Sequence, residues 1–139
     1  TDFPFEIGKG IVVCEGRDVA LIATGTMVAE CVRAARGMSR SGINPTVVDM
    51  HTIKPLDTGL LDRIFATHQL IVTVEEHFTT GGLGSAIAEY KADKLDAPRQ
   101  LILGIPNEFK HVGAYAWMLD QCGLTANKIA ESIVRAVQE

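Results

Sequence analysis

Short apolar segments alternate with amphipathic segments along most of the chain. The apolar segments are rich in Val, Ile and Leu and do not alternate with polar residues, which is typical of strands buried on both faces of a sheet. Their spacing is roughly 25–30 residues, the size of a βαβ unit. The pattern predicts an α/β domain with a largely parallel sheet and helices on both faces. The predicted strands are 18–25, 46–53, 69–76 and 100–106.

The segments between the strands have the apolar spacing of helices. Thr26, Asp57 and Thr125 are candidate N-caps. Pro55 disfavours helical backbone at Lys54, which supports a helix that begins after Asp57. The predicted buried positions are Val28, Cys31, Val32 and Ala35 in the first helix, Leu60, Leu61, Ile64 and Phe65 in the second, and Ile129, Ile133, Val134 and Val137 in the last.

One further apolar segment, 10–16, lies directly ahead of the first parallel strand. Gly16-Arg17-Asp18 leaves room only for a tight turn between them, so we predict that residues 11–15 pair antiparallel with residues 19–24. The predicted sheet thus has five strands, four parallel and one antiparallel at an edge. Residues 1–9 are predicted to be an arm that leads into a single domain spanning 1–139.

Composition narrows the class of protein. Hydrophobic residues make up 47% and charged residues 22% of 139, which indicates one globular domain with a real core. The net charge is −4 and Lys and Arg do not cluster, so we expect no nucleic-acid partner and no membrane partner. With neither a bilayer-spanning apolar run nor a signal peptide, a cytoplasmic location is expected. The first residue is Thr1 rather than Met, which suggests a piece of a longer protein.

The stretch VTVEEHFTTGGLGSAIAE, residues 72–89, contains the candidates for binding. Glycines before a helix start expose N–H groups that suit an anion, so Gly82, Gly84 and Ser85 form a candidate anion loop. The dinucleotide fingerprint is incomplete, because Ala86 and Ile87 stand where its third glycine belongs. We predict a packing turn that holds at most an incidental anion.

Glu75, Glu76 and His77 end the strand before this loop, and a histidine beside carboxylates could serve as an acid/base group. No third residue is placed to orient them, so we interpret them as a solvated strand end. The sequence predicts no catalytic residue and no metal site, because the other histidines and the cysteines lack the spacing of metal ligands. These residues are His51, His68, His111, Cys14, Cys31 and Cys122.

Several strings, in this order, together resemble the C-terminal domain of the transketolase-like family of thiamine diphosphate enzymes. That family includes transketolase, 1-deoxyxylulose-5-phosphate synthase and the β subunits of 2-oxo acid dehydrogenases. The resemblance covers the whole chain and implies a three-layer αβα sandwich whose first strand is antiparallel. The strings are FEIGKGIVVCEGRDVALIATGTMV (5–28), VVDMHTIKPLD (47–57), IVTVEEH (71–77), GGLGSAIAE (81–89) and LGIPNEF (103–109).

The resemblance also implies a function for the parent enzyme: transfer of a two-carbon ketol unit between sugar phosphates, with thiamine diphosphate and a divalent metal. The family holds this cofactor on other domains through a G-D-G…N motif, and this chain contains no G-D-G. We therefore expect the domain to serve assembly in a homo-oligomer, with other domains or a separate subunit, and to be inactive alone. The alternatives are a partner-docking domain of a 2-oxo acid dehydrogenase β subunit, or a free-standing small-anion binding module.

The segment after GIPNEF departs from the family pattern. Transketolase-like members commonly continue with a loop of glycine and small residues, whereas residues 110–124 read KHVGAYAWMLDQCGL. Lys110, His111, Tyr115 and Trp117 are bulky, which indicates a divergent loop with a different partner.

Overall fold

The computed structural model describes residues 4–109 and 111–139, and these ranges contain five strands and five helices. Each strand overlaps an apolar segment that predicted it. The first three residues of the predicted arm lie outside the described ranges. The strands are β1 (Ile11–Cys14), β2 (Ala20–Ala23), β3 (Thr46–Asp49), β4 (Leu70–Phe78) and β5 (Arg99–Ile105). The helices are α1 (Met27–Ser39), α2 (Thr58–Thr67), α3 (Leu83–Lys91), α4 (Tyr115–Gln121) and α5 (Ala126–Gln138).

The strands form one mixed sheet in the order β1-β3-β2-β4-β5. β2 is parallel to both β3 and β4, and β4 is parallel to β5. β1 lies at the edge, antiparallel to β3. Helices α1 and α5 cover one face of the sheet, and α2 and α3 cover the other. The predicted αβα sandwich with one antiparallel edge strand is confirmed.

The two hydrophobic clusters on the faces of the sheet explain why the strands read as continuous apolar runs. Val72 and Val74 are fully buried against α1 and α5, whereas Ile71, which directly precedes Val72, is fully buried against α2 and α3. Successive side chains of a strand point to opposite faces, so a central strand covered on both sides must be apolar throughout. Val137, predicted to be buried on α5, is half exposed.

The neighbour predicted for the edge strand is wrong. Residues 11–15 do not pair with residues 19–24, because β3 lies between β1 and β2. Ile11 instead pairs with Asp49 of β3. The predicted reversal of direction holds, since β3 is antiparallel to β1 and parallel to β2.

The backbone of the turn between β1 and β2 forms hydrogen bonds with the segment that leads into β3. The amides of Arg17 and Asp18 both donate to the carbonyl oxygen of Asn44, at 2.9 and 3.1 Å. A Cβ atom on Gly16 would lie 2.3 Å from that same oxygen, so the close crossing requires glycine. A short turn therefore sets the direction of the next strand but leaves its neighbour undetermined.

The Asp57 side chain caps α2, as the sequence predicts. Its Oδ1 accepts a hydrogen bond from the Leu60 amide at 3.1 Å, and its Oδ2 accepts one from the Gly10 amide at 2.9 Å. One buried carboxylate thus satisfies the start of a helix and the approach to β1. Thr125 caps α5 through the Lys128 amide at 3.4 Å.

The segment predicted to be a divergent loop contains a helix, α4. None of its residues is fully buried. A helix without a buried face leaves no apolar periodicity in the sequence, so the pattern that revealed α1, α2 and α5 is absent here.

We expect Asp57→Ala to lower the free energy of unfolding by about 1–2 kcal/mol, because it removes an N-cap and leaves the Gly10 amide without its acceptor. Equilibrium urea unfolding measures the change. Asp93→Ala is the control, since this exposed residue follows α3, and it should change stability by less than about 0.5 kcal/mol. Coincident unfolding curves for wild type and Asp57→Ala would contradict the role of Asp57.

Candidate functional site

The carboxyl end of the sheet forms the candidate site. Ala23, the last residue of β2, pairs with Val74, so residues 75–78 of β4 continue past β2. β2 leads to β3 on one side and β4 leads to β5 on the other, which makes this the topological switch point of the sheet. Open α/β sheets bind ligands at such points.

The Glu75 carboxylate is buried against the start of α3. Its Oε1 accepts a hydrogen bond from the Leu83 amide at 3.0 Å, and its Oε2 accepts one from the Gly84 amide at 2.6 Å. The first amides of a helix lack partners within the helix and lie at the positive end of its dipole, so this carboxylate stabilises the helix start. Glu75 is 1% exposed, and the prediction of a solvated strand end is wrong for this residue.

The glycines of the loop make room for that carboxylate and for the helix. A Cβ atom on Gly82 would lie 1.7 Å from Glu75 Oε1. One on Gly84 would lie 2.8 Å from side-chain atoms of Thr73 and Ile102, so α3 packs closely on the sheet only with glycine here. These glycines have the packing role that the sequence predicts.

Gly82, Gly84 and Ser85 lie together, but the Gly84 amide and the Ser85 hydroxyl are bonded within the chain. Ser85 Oγ accepts from the Gly81 amide at 2.8 Å and donates to the Thr79 carbonyl at 3.3 Å. The anion that this loop holds is therefore the Glu75 carboxylate. Binding of an external anion stays a prediction, and such an anion would compete with Glu75.

His77 is half exposed beside this carboxylate. Its Nδ1 lies 2.8 Å from the Phe78 carbonyl oxygen and 3.5 Å from Glu75 Oε1. A carbonyl oxygen only accepts, so Nδ1 donates its proton to the backbone in this geometry. The imidazole nitrogen that faces Glu75 is thus already used in a local backbone contact.

Glu76 joins three elements through one oxygen atom. Its Oε2 accepts hydrogen bonds from Thr26 Oγ1 and from the Tyr115 hydroxyl, both at 2.8 Å. Thr26 occupies the N-cap position of α1, but its side chain does not cap the helix because the hydroxyl binds Glu76. Sequence reasoning singled out Tyr115 as bulky but did not connect it with Glu76, because Tyr115 lies in α4 and has no spacing relation to Glu76. This contact ties α4 to the switch point.

Cys31 and His68 are buried elsewhere in the fold, in surroundings typical of structural residues. Burial, and then the Glu30 carboxylate, raise the pKa of the Cys31 thiol to about 12, which keeps it protonated at neutral pH. His68 Nε2 lies 3.0 Å from Thr46 Oγ1 in the buried region beneath the Gly16 turn. All three cysteines are free thiols.

The residues at the switch point do not fit thiamine diphosphate. A diphosphate needs N–H donors or a metal ion, and the amides of Leu83 and Gly84 already bind Glu75, whose charge would repel it. Among the residues that the structure describes, no group of three His, Cys, Asp or Glu side chains is arranged to hold a metal ion. No helix in these ranges is long and apolar enough to cross a bilayer.

The fold and the sequence together define a known class of domain. The chain folds as a three-layer α/β sandwich whose first strand is antiparallel. This is the architecture that the resemblance in the sequence implies. The family model described as "Transketolase, C-terminal domain" matches residues 8–129. The chain therefore belongs to the transketolase C-terminal domain family.

Curated relatives are similar across almost the whole chain. A probable 1-deoxy-D-xylulose-5-phosphate synthase 2, chloroplastic, from Oryza sativa subsp. japonica is 41% identical over 134 residues, which is 94% of this chain and 19% of the relative. A 1-deoxy-D-xylulose-5-phosphate synthase from Dictyoglomus turgidum is 40% identical over 138 residues, 96% of this chain and 22% of the relative. The chain thus spans about a fifth of the curated relatives it matches.

Solved structures share the fold to different degrees. "Split gene transketolase, inactive beta4 tetramer" has a TM-score of 0.89 and 35% identity, and the match covers 98% of this chain and 44% of that chain. Transketolase from Campylobacter jejuni has a TM-score of 0.69 and 16% identity, and the match covers 92% of this chain and 18% of that chain. The second likeness concerns the fold alone.

We expect Glu75→Gln to lower the free energy of unfolding by about 1–3 kcal/mol. A glutamine offers one acceptor oxygen, so one of the two buried amides loses its partner and faces an NH₂ group instead. Glu76→Gln is the matched control at the exposed neighbouring position and should cost less than about 0.5 kcal/mol. Urea unfolding of both variants measures the difference, and equal losses would contradict the capping role of Glu75.

Proposed function

We propose that this chain is the assembly domain of a thiamine diphosphate-dependent enzyme of the transketolase type. The parent enzyme would transfer a two-carbon ketol unit between sugar phosphates. The observation that carries the proposal is the match to the split gene transketolase, which extends over 98% of this chain at a TM-score of 0.89.

The proposal assigns the cofactor and its divalent metal to other domains or to another subunit of the same enzyme. The buried carboxylate of Glu75 occupies the amides that a phosphate would use, which supports a structural role for this loop. The related split gene chain is described as an inactive tetramer. By analogy, this chain alone would be an inactive homo-oligomer. A cytoplasmic location belongs to the same proposal.

A second candidate reaction is formation of 1-deoxy-D-xylulose-5-phosphate. It is favoured by the identity of 40–41% to synthases of that product over 94–96% of this chain. The domain would have the same assembly role in either enzyme, so the two candidates differ in the chemistry of the domains that bind the cofactor.

Reconstitution tests the proposal and separates the two reactions. The isolated chain should show no ketol transfer and no binding of thiamine diphosphate by calorimetry. Addition of the chain that carries the cofactor-binding domains should restore activity, assayed both as ketol transfer between sugar phosphates and as 1-deoxy-D-xylulose-5-phosphate formation. Activity of the isolated chain, or an inactive mixture that forms no complex, would overturn the proposal.

In the reconstituted enzyme, we expect His77→Ala to leave the rate within a few-fold of wild type, because Nδ1 is engaged with the backbone of Phe78. Loss of a general acid or base typically lowers the rate about a hundredfold or more. Initial rates at saturating substrate measure the effect. A loss of the larger size would place His77 in the chemistry.

Two remaining alternatives have their own signatures. Co-purification with an acyltransferase core would favour a 2-oxo acid dehydrogenase β subunit. Tight calorimetric binding of inorganic phosphate by the isolated chain would favour an anion-binding module at Gly82, Gly84 and Ser85.

A further inference from the structure

The large apolar side chains that remain exposed are concentrated at one end of the domain. Phe78 is the last residue of β4, and Tyr115 reaches back to Glu76 at the carboxyl end of the same strand. Val112, on the segment that leads into α4, is 96% exposed. Trp117, in α4, is 42% exposed. Exposed aromatic and aliphatic groups that cluster in this way mark a surface that another protein covers.

The N-terminal arm adds two more exposed apolar residues at the same end. The Phe5 ring lies 4.2 Å from the His51 ring, centroid to centroid, and His51 follows the carboxyl end of β3. Gly8, next to Ile7, donates its amide to Thr52 Oγ1 at 3.2 Å. Phe5 and Ile7 are each at least 70% exposed. The arm therefore lies across the carboxyl end of the sheet, at its β3 side.

The opposite end of the domain differs. Its large exposed apolar residues in the described ranges are Leu95, in the turn that precedes β5, and Val137, near the end of α5. Arg99, the first residue of β5, donates to the Ala136 carbonyl oxygen at 3.2 Å, which places the end of α5 beside the amino end of the sheet. These two aliphatic residues come without aromatic neighbours of comparable exposure.

We propose that the carboxyl end of the sheet is the surface on which the cofactor-binding part of the parent enzyme docks. The surface consists of Phe5, Ile7, Phe78, Val112, Tyr115 and Trp117. This inference rests on the proposed function, and it specifies the contact that the assembly role requires.

The position of the arm identifies the occupant. In the curated relatives this domain accounts for about a fifth of the length, and the family describes it as the C-terminal domain, so most of each relative precedes it. The preceding domains of those relatives reach this one through the segment that corresponds to the arm. Because the arm lies on the carboxyl end of the sheet, domains joined through it would lie next to that surface.

Contacts behind Trp117 hold it in a fixed position on this surface. The Tyr115 hydroxyl binds Glu76, and Trp117 lies beside the rings of Phe109 and His111, with centroids 6.4 Å away in each case. A Cβ atom on Gly113 would lie 2.6 Å from the indole, so glycine permits the tight turn against it. A preorganised aromatic side chain loses little conformational freedom when a partner covers it.

The single tryptophan of the chain provides the test. The chain is labelled with 5-fluorotryptophan, which gives one ¹⁹F resonance from Trp117, and is titrated with the chain that carries the cofactor-binding domains. The resonance should shift on binding and lose its sensitivity to a soluble paramagnetic quencher. The titration also gives the dissociation constant.

Val112→Asp should raise that dissociation constant about tenfold or more, because it places a charge in an apolar contact. Leu95→Asp is the matched control at the opposite end, and it should leave the dissociation constant within about twofold. Both positions are almost fully exposed, so both variants should fold, which circular dichroism and urea unfolding check.

The outcomes separate the docking surface from the proposed function. If an active complex forms while the Trp117 resonance does not shift and Val112→Asp leaves the dissociation constant unchanged, this surface is not the docking site. The proposed function would still stand in that case. Absence of a complex and of activity would overturn both. A Trp117 signal that depends on the concentration of this chain alone would identify a second copy as the occupant and overturn the proposal.

Discussion

The buried contact between Glu75 and the first amides of α3 governs the carboxyl end of this domain. A carboxylate removed from water is strongly unfavourable unless donors surround it, and the amides of Leu83 and Gly84 supply those donors. Strand, loop and helix are thereby fixed to one another. Gly82 has to lack a side chain for the carboxylate to fit. Because this contact fixes the end of β4, it also fixes the positions of the exposed residues that follow Glu75 on that strand.

An internal anion also explains how a loop with the features of a phosphate cradle can have a structural role. Helix starts attract negative charge through their amides and dipole whatever the source of the charge. Here the source is the strand that runs into the loop. The same geometry that would recruit a ligand in another α/β protein instead holds two layers of this one together.

The sequence predicts most of the fold because the sheet is covered on both faces. Continuous apolar runs such as 69–76 are required of central strands, and Asp57 after Pro55 predicts a helix start that the structure confirms. The neighbour of β1 was not predictable from its turn, since pairing across β3 depends on residues distant in the chain. Helix α4 left no signal because none of its residues is fully buried.

Less of the candidate site than of the fold could be predicted from the sequence. The charged residues at 75 and 76 look alike in the sequence, yet one is buried and one is exposed. A signal existed in the glycines of the loop, because a carboxylate at a strand end followed by Gly82-x-Gly84 has amides within reach. The contact between Glu76 and Tyr115 had no such signal, since it joins positions whose proximity only the packing of α4 creates.

The place of β3 between β1 and β2 has a consequence for the order in which the chain acquires structure. β1 is synthesised first, but its partner in the sheet comes only after α1, with Ile11 pairing with Asp49. Closing such a loop costs entropy before any contact compensates, so contacts distant in sequence tend to form late. The pairing of β1 with β3 spans more of the chain than the pairing of β2 with β3, so we expect β1 to pair with β3 after β2 has done so. A segment that precedes the arm in a longer chain would then be anchored to this domain only once β1 is in place.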